Sequence, residues 1–538
     1  MQLRIVAHQS SFKVGDLFGN TEKIIKLYRE SECDLVVFPE LCLTGYNCKD
    51  LFLDRSFISE INRCILKIVN IVGDKALLIG VPQLIDNQLF NSAILLKNSR
   101  IEHVYHKHYL PNYGVFDEKR YFEPGNKLSS IFELNGFKIR LLICEDLWHP
   151  EAKLSMADIL CEVTIVMNAS PYAINKARQR IKLLKDFSIK YKQKYVIYVN
   201  SVGAHDHLLF DGSSTIVADN KVLISPTQWE ERIISTVSGL NLDVSCNGVL
   251  YQETEQSDIF NLNDTSASEI YNGIILSLRE YSDYACCKKF VIGLSGGVDS
   301  ALVAVMAVDA FGSENVLCVA MPSQYSSQSS IDDAKALVEK LKCDLEIISI
   351  VDIKSVFDSI LQPLLGILAD DDLTNENLQP RIRATILMAI ANKQNRLLLS
   401  TSNKSESAVG YSTLYGDMTG AYAPIVDLYK TQVYSICRWK NKRSNIIPEN
   451  ILIKEPSAEL KPCQKDSDSL PDYVSLDKIL YNLIELRCDP EGFDPQLIHH
   501  IKNLLYKGEF KRFQAPPGPK INNITLGSDR RYPICLKV

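Results

Sequence analysis

Apolar and polar positions along this chain follow two different rhythms. In the first half, short β-branched or aliphatic runs recur at Leu3 to Val6, Leu35 to Phe38, Ala76 to Gly80, Ala93 to Leu96, Leu141 to Ile143, Val163 to Met167 and Tyr195 to Val199. Runs of this length between polar stretches read as strands. Several end on a polar or reactive residue: Glu40, Cys144, Asn168 and Asn200. Helical periodicity fills some of the gaps, over Thr21 to Arg29 and Ala177 to Tyr191. The mixture predicts layered α and β structure with a site at strand ends. Between Cys246 and Ser266 the rhythm breaks into the polar run Gln252-Glu253-Thr254-Glu255-Gln256-Ser257-Asp258. That break places a domain boundary near residue 260, giving domains 1–260 and 261–538.

The second half alternates more regularly. Strands are expected over Phe290 to Leu294, Val316 to Met321, Leu345 to Ile350 and Leu397 to Ser400. Helices are expected over Ala301 to Phe311, Ile331 to Leu341 and Ile382 to Lys393. That order implies βαβ units and a doubly wound parallel sheet, with a ligand beyond the strand carboxyl ends. There lies Gly293-Leu294-Ser295-Gly296-Gly297-Val298-Asp299-Ser300, between a strand and an apolar helix. A glycine turn entering a helix aims backbone N–H groups and partial positive charge at an anion. Gly296 and Gly297 allow close approach to phosphate oxygens, and Asp299 can hold magnesium bridging them. The loop differs from Walker A, because no Lys-Ser or Lys-Thr follows the glycines.

Composition narrows the picture. A length of 538 residues exceeds what one core organises, so two or more domains are expected. A net charge of −6 gives no support for a nucleic-acid or anionic-membrane partner. No apolar run approaches the ~20 residues of a membrane helix, and the amino end lacks a signal-peptide pattern. The 15 cysteines contain no Cys-x-x-Cys pair and read as reduced thiols of a cytoplasmic protein. Cys286 and Cys287 read as small buried hydrophobes. His103, His106 and His108 read as a histidine-rich strand end, because no acidic or cysteine cluster accompanies them.

The glycine loop resembles the pyrophosphate-binding loop of the ATP pyrophosphatase family. Further motifs follow it: Met321-Pro322-Ser323-Gln324-Tyr325-Ser326-Ser327, Glu376 to Arg383, Thr401-Ser402-Asn403-Lys404-Ser405-Glu406, Tyr411 to Asp417, Lys430, and Lys454 to Leu460. Together they resemble the synthetase domain of NAD synthetase over about Glu269 to Arg531. The resemblance implies that residues 293–300, with Thr401, Lys430 and Ser457, hold ATP. It implies that Asp299 and Glu406 hold Mg2+. It places Asn377, Arg381, Glu406 and Lys511 near deamido-NAD. Lysines and hydroxyls suit phosphate, and paired carboxylates suit magnesium. The implied reaction transfers AMP onto the nicotinate carboxylate, and ammonia then displaces AMP to give the amide.

The first half carries a matching source of ammonia. Pro39-Glu40-Leu41, His106-Lys107-His108 and Ile143-Cys144-Glu145-Asp146 resemble the Glu, Lys and Cys sites of the nitrilase/amidase family. Leu110 to Phe122 resembles the subgroup fused to NAD synthetase. On that resemblance Cys144 attacks the glutamine amide, Glu40 is the general base, and Lys107 favours the thiolate and the oxyanion. Tyr113, Ser170 and Lys176 match glutamine-binding positions, and Glu118 matches a second, supporting glutamate. Two segments depart from the pattern: Asn47-Cys48 after Thr44-Gly45-Tyr46, and Val202-Gly203-Ala204-His205-Asp206-His207.

The resemblance implies an α/β protein. An N-terminal nitrilase-like α-β-β-α layered domain precedes a doubly wound, Rossmann-like ATP pyrophosphatase domain. It implies glutamine, ATP and deamido-NAD as substrates, and homo-oligomers. Two other readings compete: another amidating ligase with the same loop, and a nucleotide sensor with dead sites. Gln2 and the absence of a Cys-His-Glu set disfavour relatives of asparagine and GMP synthetase. The intact Glu40, Lys107, Cys144, Asp299 and Glu406 disfavour the sensor.

Overall fold

The computed structural model describes residues 2–126, 130–149, 161–218, 221–239, 248–252, 256–370 and 372–537. Cys246 and residues 253–255 of the polar run at the expected boundary lie outside the described residues. The chain divides into two compact units, Met1–Glu255 and Gln256–Val538.

In the first unit two sheets lie face to face between helices. Among the described residues one sheet runs in the order Arg232–Gly239, Gln2–Gln9, Leu35–Val37, Ala76–Ile85, Gln88–Lys97, Arg100–His106. The other runs Val249–Leu250, Lys221–Ile224, Thr215–Ala218, Tyr195–Asn200, Val163–Asn168, Phe137–Ile143, Ser130–Leu134. Alternate residues explain the layering. Leu3, Ile5, Leu35 and Val37 of the first sheet meet Ile139, Leu141, Ile165 and Ile197 of the second in one core. The opposite face of the first sheet, with Val36, Leu77 and Ile79, is covered by helices Leu17–Glu30 and Arg55–Ile71. Helix Lys176–Lys190 covers the far face of the second sheet through Ile181, Leu184 and Phe187. This is the expected α-β-β-α sandwich.

In the second unit four parallel strands run in the order Asp344–Ile347, Val316–Ala320, Phe290–Gly293, Leu397–Leu399 among the described residues. Helix Val298–Phe311 leaves the central strand and is apolar almost all round. Ala301 to Ala307 are fully buried, as a helix enclosed on every side requires. Helix Leu373–Gln394 packs Ile382, Leu387 and Ala391 under the sheet. A carboxyl-terminal helical cluster forms around Tyr429, Leu476, Ile484 and Ile501. The proline-rich Gln514 to Pro519 is an ordered segment, with Pro517 O accepting from Ala423 N at 2.8 Å. Among the described residues no helix is long and apolar enough to cross a membrane.

One small expectation needs correcting. Cys287 is buried, but Cys286 is exposed, with φ 50° at a helix end where solvent is close. His103 and His106 lie on the edge strand Arg100–His106, where His106 Nδ1 bonds Ser92 Oγ at 2.7 Å.

Candidate active sites

In the first unit the chemistry gathers at strand carboxyl ends. Glu40 follows Leu35–Val37, Lys107 follows Arg100–His106, and Cys144 follows Phe137–Ile143. The turn at Glu40 crosses Gly80 so closely that a Cβ there would stand 2.4 Å from Leu41 N. Only glycine permits that approach. Lys107 Nζ donates to Glu40 Oε1 at 2.7 Å and to Glu118 Oε1 at 2.8 Å, with all three side chains buried. Asn91 Nδ2 also donates to Glu40 Oε1, at 2.8 Å, and Ala169 N donates to Glu40 Oε2 at 3.0 Å. Tyr46 Oη donates to Glu118 Oε1 at 2.9 Å.

Cys144 has φ 46°, the left-handed region that a side chain occupies at a cost of about 1–3 kcal/mol. Asp146, two residues on, holds this corner. Its Oδ2 accepts from Ile143 N at 3.1 Å and Tyr105 Oη at 2.8 Å. Its Oδ1 accepts from His108 N at 3.1 Å and Tyr109 N at 2.9 Å. Burial raises Asp146 to about 6 against the pull of these donors.

The electrostatics correct one expectation. Burial, reinforced by Glu40, pushes the Cys144 thiol well above its ordinary value, and the attraction of Lys107 is outweighed. Lys107 is shared between two glutamates. Burial opposes its charge, yet Glu118 and Glu40 hold it well above the usual lysine range. Burial raises Glu118 to about 7, with Lys107 pulling it back. Burial and the nearby carboxylates thus favour the thiol form of Cys144 over the thiolate.

The residues matched to glutamine surround this corner. Tyr113 is exposed, and its hydroxyl donates to Glu145 at 3.0 and 3.1 Å. Ser170 N donates to Asn200 Oδ1 at 2.9 Å. Lys176 Nζ lies 4.4 Å from the centroid of the Trp148 ring. The departing segment forms the hairpin Val202–His205 with Leu208–Asp211. Burial lowers His205 to about 4, so its ring is neutral. It leans on Phe210, whose ring meets Tyr46 at 6.1 Å. One route from the hairpin to the cluster thus runs through Phe210, Tyr46 and Glu118.

In the second unit a cavity of ≈ 310 Å³ opens at the strand carboxyl ends. The whole run Gly293 to Ser300 lines it, with Thr401, Glu406, Lys430 and Ser457. Gly296 has φ 80°, and a Cβ there would stand 2.3 Å from Ser330 O, so no other residue fits. Lys430 Nζ bridges Asp299 Oδ2 at 2.5 Å and Glu406 Oε1 at 2.9 Å. Asn403 ties the two residues together: its Nδ2 donates to the Asp299 carboxylate at Oδ1, and its Oδ1 accepts from the Glu406 backbone N–H, each at 2.9 Å. Burial opposes the charge on Lys430, but Asp299 and Glu406 outweigh it. Burial and the repulsion of Asp299 raise Glu406. Two carboxylates sharing one ammonium remain short of positive charge. Among the described residues no group of three or more His, Cys, Asp or Glu is arranged to hold a metal by itself. A carboxylate pair at a phosphate loop fits magnesium, which takes one or two protein oxygens and completes its shell with phosphate and water.

Three expected residues fall outside that lining. Asn377 Oδ1 accepts from Thr413 Oγ1 at 2.7 Å. Arg381 Nε donates to Leu414 O at 3.1 Å, and Lys511 Nζ to Gly410 O and Ser412 O at 2.8 and 2.6 Å. They gather around the loop 410–414, beside Tyr411, Gly416 and Asp417 of the cavity wall. The cavity instead takes Arg383, whose Nε donates to Met321 O at 3.0 Å. Two residues apart on a helix is about 200° of rotation, so Arg381 and Arg383 face opposite ways. Lys454 also lines the cavity, bonded to Ser330 and 3.4 Å from Glu459. Asn91 went unnoticed in the sequence. Its signal is a polar Asn91-Ser92 pair, fully buried within an apolar strand.

A carbon–nitrogen hydrolase family model matches residues 2–239 and an NAD synthase family model matches residues 270–515. Fold and sites thus define a two-part enzyme, a carbon–nitrogen hydrolase unit joined to an NAD synthase unit. The chain is 39% identical to the glutamine-dependent NAD(+) synthetase of Aquifex aeolicus (strain VF5), covering 99% of each chain. It is 40% identical to that of Thermotoga maritima, over 99% of this chain and 98% of the relative. The structure of glutamine-dependent NAD+ synthetase from Acinetobacter baumannii in complex with adenosine diphosphate superimposes with a TM-score of 0.79. That match has 33% identity and covers 99% of this chain and 98% of the other. The chain belongs to the glutamine-dependent NAD(+) synthetase family.

Proposed function

We propose that this enzyme converts deamido-NAD, ATP and glutamine into NAD, AMP, pyrophosphate and glutamate. Residues 1–260 act as the glutaminase and 261–538 as the synthetase. One observation carries the reading: a buried Glu40–Lys107–Glu118 cluster beside a strained Cys144, on the same chain as an Asp299–Lys430–Glu406 cluster at a phosphate loop.

In the first unit Glu40 takes the Cys144 proton as sulfur attacks the glutamine carboxamide carbon. Lys107 steadies the oxyanion. The carbon–nitrogen bond breaks, Glu40 delivers its proton to the departing ammonia, and a thioester remains. Water, deprotonated by Glu40, then releases glutamate and restores the thiol. Ser170, Tyr113 and Lys176 bind glutamine, and Glu118 fixes Lys107.

In the second unit residues 293–300, Thr401 and Ser457 hold ATP, while Lys430 neutralises phosphate charge. Asn377, Arg381, Glu406 and Lys511 hold deamido-NAD. Asp299 and Glu406 hold magnesium, which when bound spreads phosphate charge and orients the leaving pyrophosphate. The nicotinate carboxylate attacks the α-phosphorus and pyrophosphate leaves. Ammonia attacks the acyl carbon, AMP leaves, and a proton is lost to give the amide. A homo-oligomer in the cytoplasm belongs to the same proposal, with light scattering as the check on assembly.

The test is product analysis with glutamine labelled at the amide nitrogen. Label in the carboxamide of NAD, with AMP and pyrophosphate formed in equal amounts, is expected. Turnover of ATP and glutamine without labelled NAD overturns the assignment.

A further inference from the structure

The three reacting groups of the first unit come from three strand ends far apart in sequence, and something must hold them in register. Asn91 and Asp146 occupy the places where those ends meet. Asn91, 1% exposed, donates from Nδ2 to Glu40 Oε1 at 2.8 Å, and its backbone carbonyl accepts from the Lys107 backbone N–H at 2.8 Å. One residue therefore joins the base to the start of the lysine. Asp146, 4% exposed, spends both oxygens on the other two ends. Ile143 N, next to Cys144, binds Oδ2, while His108 N and Tyr109 N, just after Lys107, bind Oδ1. Tyr105 Oη, from the strand before Lys107, completes the set.

Resting on the glutaminase reading, we propose that Asn91 and Asp146 are positioning residues that lock Glu40 and Cys144 onto the Lys107 strand end. Hydrogen bonds to a buried carboxylate are among the stronger and more directional ones. Both residues act through their neighbours. Asn91 sets where the base sits. Asp146 sets the strained corner from which sulfur attacks. A misplacement of about 1 Å costs on the order of 100-fold in rate. Substrate affinity depends on other side chains and should be spared.

The test uses the full chain carrying Asn91→Ala, Asp146→Asn or Asp146→Ala. Glutaminase kcat is expected to fall about 10–100-fold, less for Asp146→Asn, which keeps the shape and one acceptor. Glutamine Kd, read by calorimetry with each change placed in a Cys144→Ala chain, should stay within about threefold. Alkylation of Cys144 by iodoacetamide should slow with kcat. Ammonium-driven synthesis reports on the second unit as an internal reference. If Asn91→Ala does not fold, Asn91→Ser, which keeps a shorter donor, takes its place. The proposal is overturned if kcat stays near the parent value. It is equally overturned if kcat, Kd and melting temperature collapse together, since that marks a purely structural role. Failure of the unsubstituted chain to hydrolyse glutamine would remove the glutaminase reading itself.

Discussion

The two sites solve opposite electrostatic problems. In the first unit one lysine is enclosed by two glutamates, and no charge in the trio is exposed. In the second unit one lysine is shared by two carboxylates that stay 16% and 20% exposed at the wall of a ≈ 310 Å³ cavity. The closed cluster suits a covalent reaction on a small uncharged amide, where proton transfer needs fixed geometry and little water. The open one suits a nucleotide that brings its own negative charge. On the proposed function, a lysine between two carboxylates is a proton relay in one place and a phosphate receptor in the other. Burial makes the difference.

The largest expected effect separates the two sites outright. Cys144→Ala should lower glutamine-driven synthesis by roughly 10⁴-fold or more, while ammonium-driven synthesis persists. Coupled assays with each nitrogen source check it, and loss of both in a folded protein would break the division of labour. Asp299→Ala should cut synthesis from either source by about 10³-fold. Glutamine hydrolysis measured without ATP should survive that change. Persistent ammonium-driven turnover would remove Asp299 from its role.

Lys430→Met comes next. It leaves two carboxylates facing each other, so synthesis should fall about 10²-fold and the second unit should lose about 3 kcal/mol of stability. Denaturant unfolding and steady-state kinetics read the two separately.

Glu118 sharpens the comparison by pH. Its folded value, about 7, lies above the ordinary 4.5 because of burial. The fold therefore gains from the protonated form, a gain fully present below pH 4.5 and lost as pH rises through about 7. Glutaminase kcat/KM should show an inflection near that pH, and Glu118→Gln should abolish it. The smallest effect is expected at the exposed Lys49–Asp206 pair. Asp206→Ala should change stability by no more than about 0.5 kcal/mol. It should also leave glutamine KM nearly unchanged, because Asp206 is exposed and its partner is Lys49 rather than a member of the cluster.

Much of this was legible in the linear chain. Leu35 to Phe38, Val163 to Met167 (broken only by Thr164) and Phe290 to Leu294 are apolar runs, and each is a strand to within one residue. Strands buried on both faces read as such near-continuous runs. Lys221–Ile224 and Arg232–Gly239 escaped: the first spans only four residues, and the second lies at a sheet edge, where the pattern is weaker. Helix Val351–Leu365 escaped for a different reason. It contains Pro363 and buries no residue, so its apolar stripe lacks the expected partner.

The sequence by itself determined which chemistry was present: a cysteine after a strand, a glycine loop before an apolar helix, and carboxylates and lysines at fixed intervals. Local backbone preference and apolar periodicity act over a few residues, and so does what they reveal. Only the tertiary structure decided which like residues meet. It joined Glu118 to Lys107, chose Arg383 over Arg381 for the cavity, brought Asn91 onto Glu40, and buried Cys144 deeply enough that its thiol is pushed up despite its lysine. Those outcomes depend on burial and on contacts between distant strands, and both arise only once the sheets have packed.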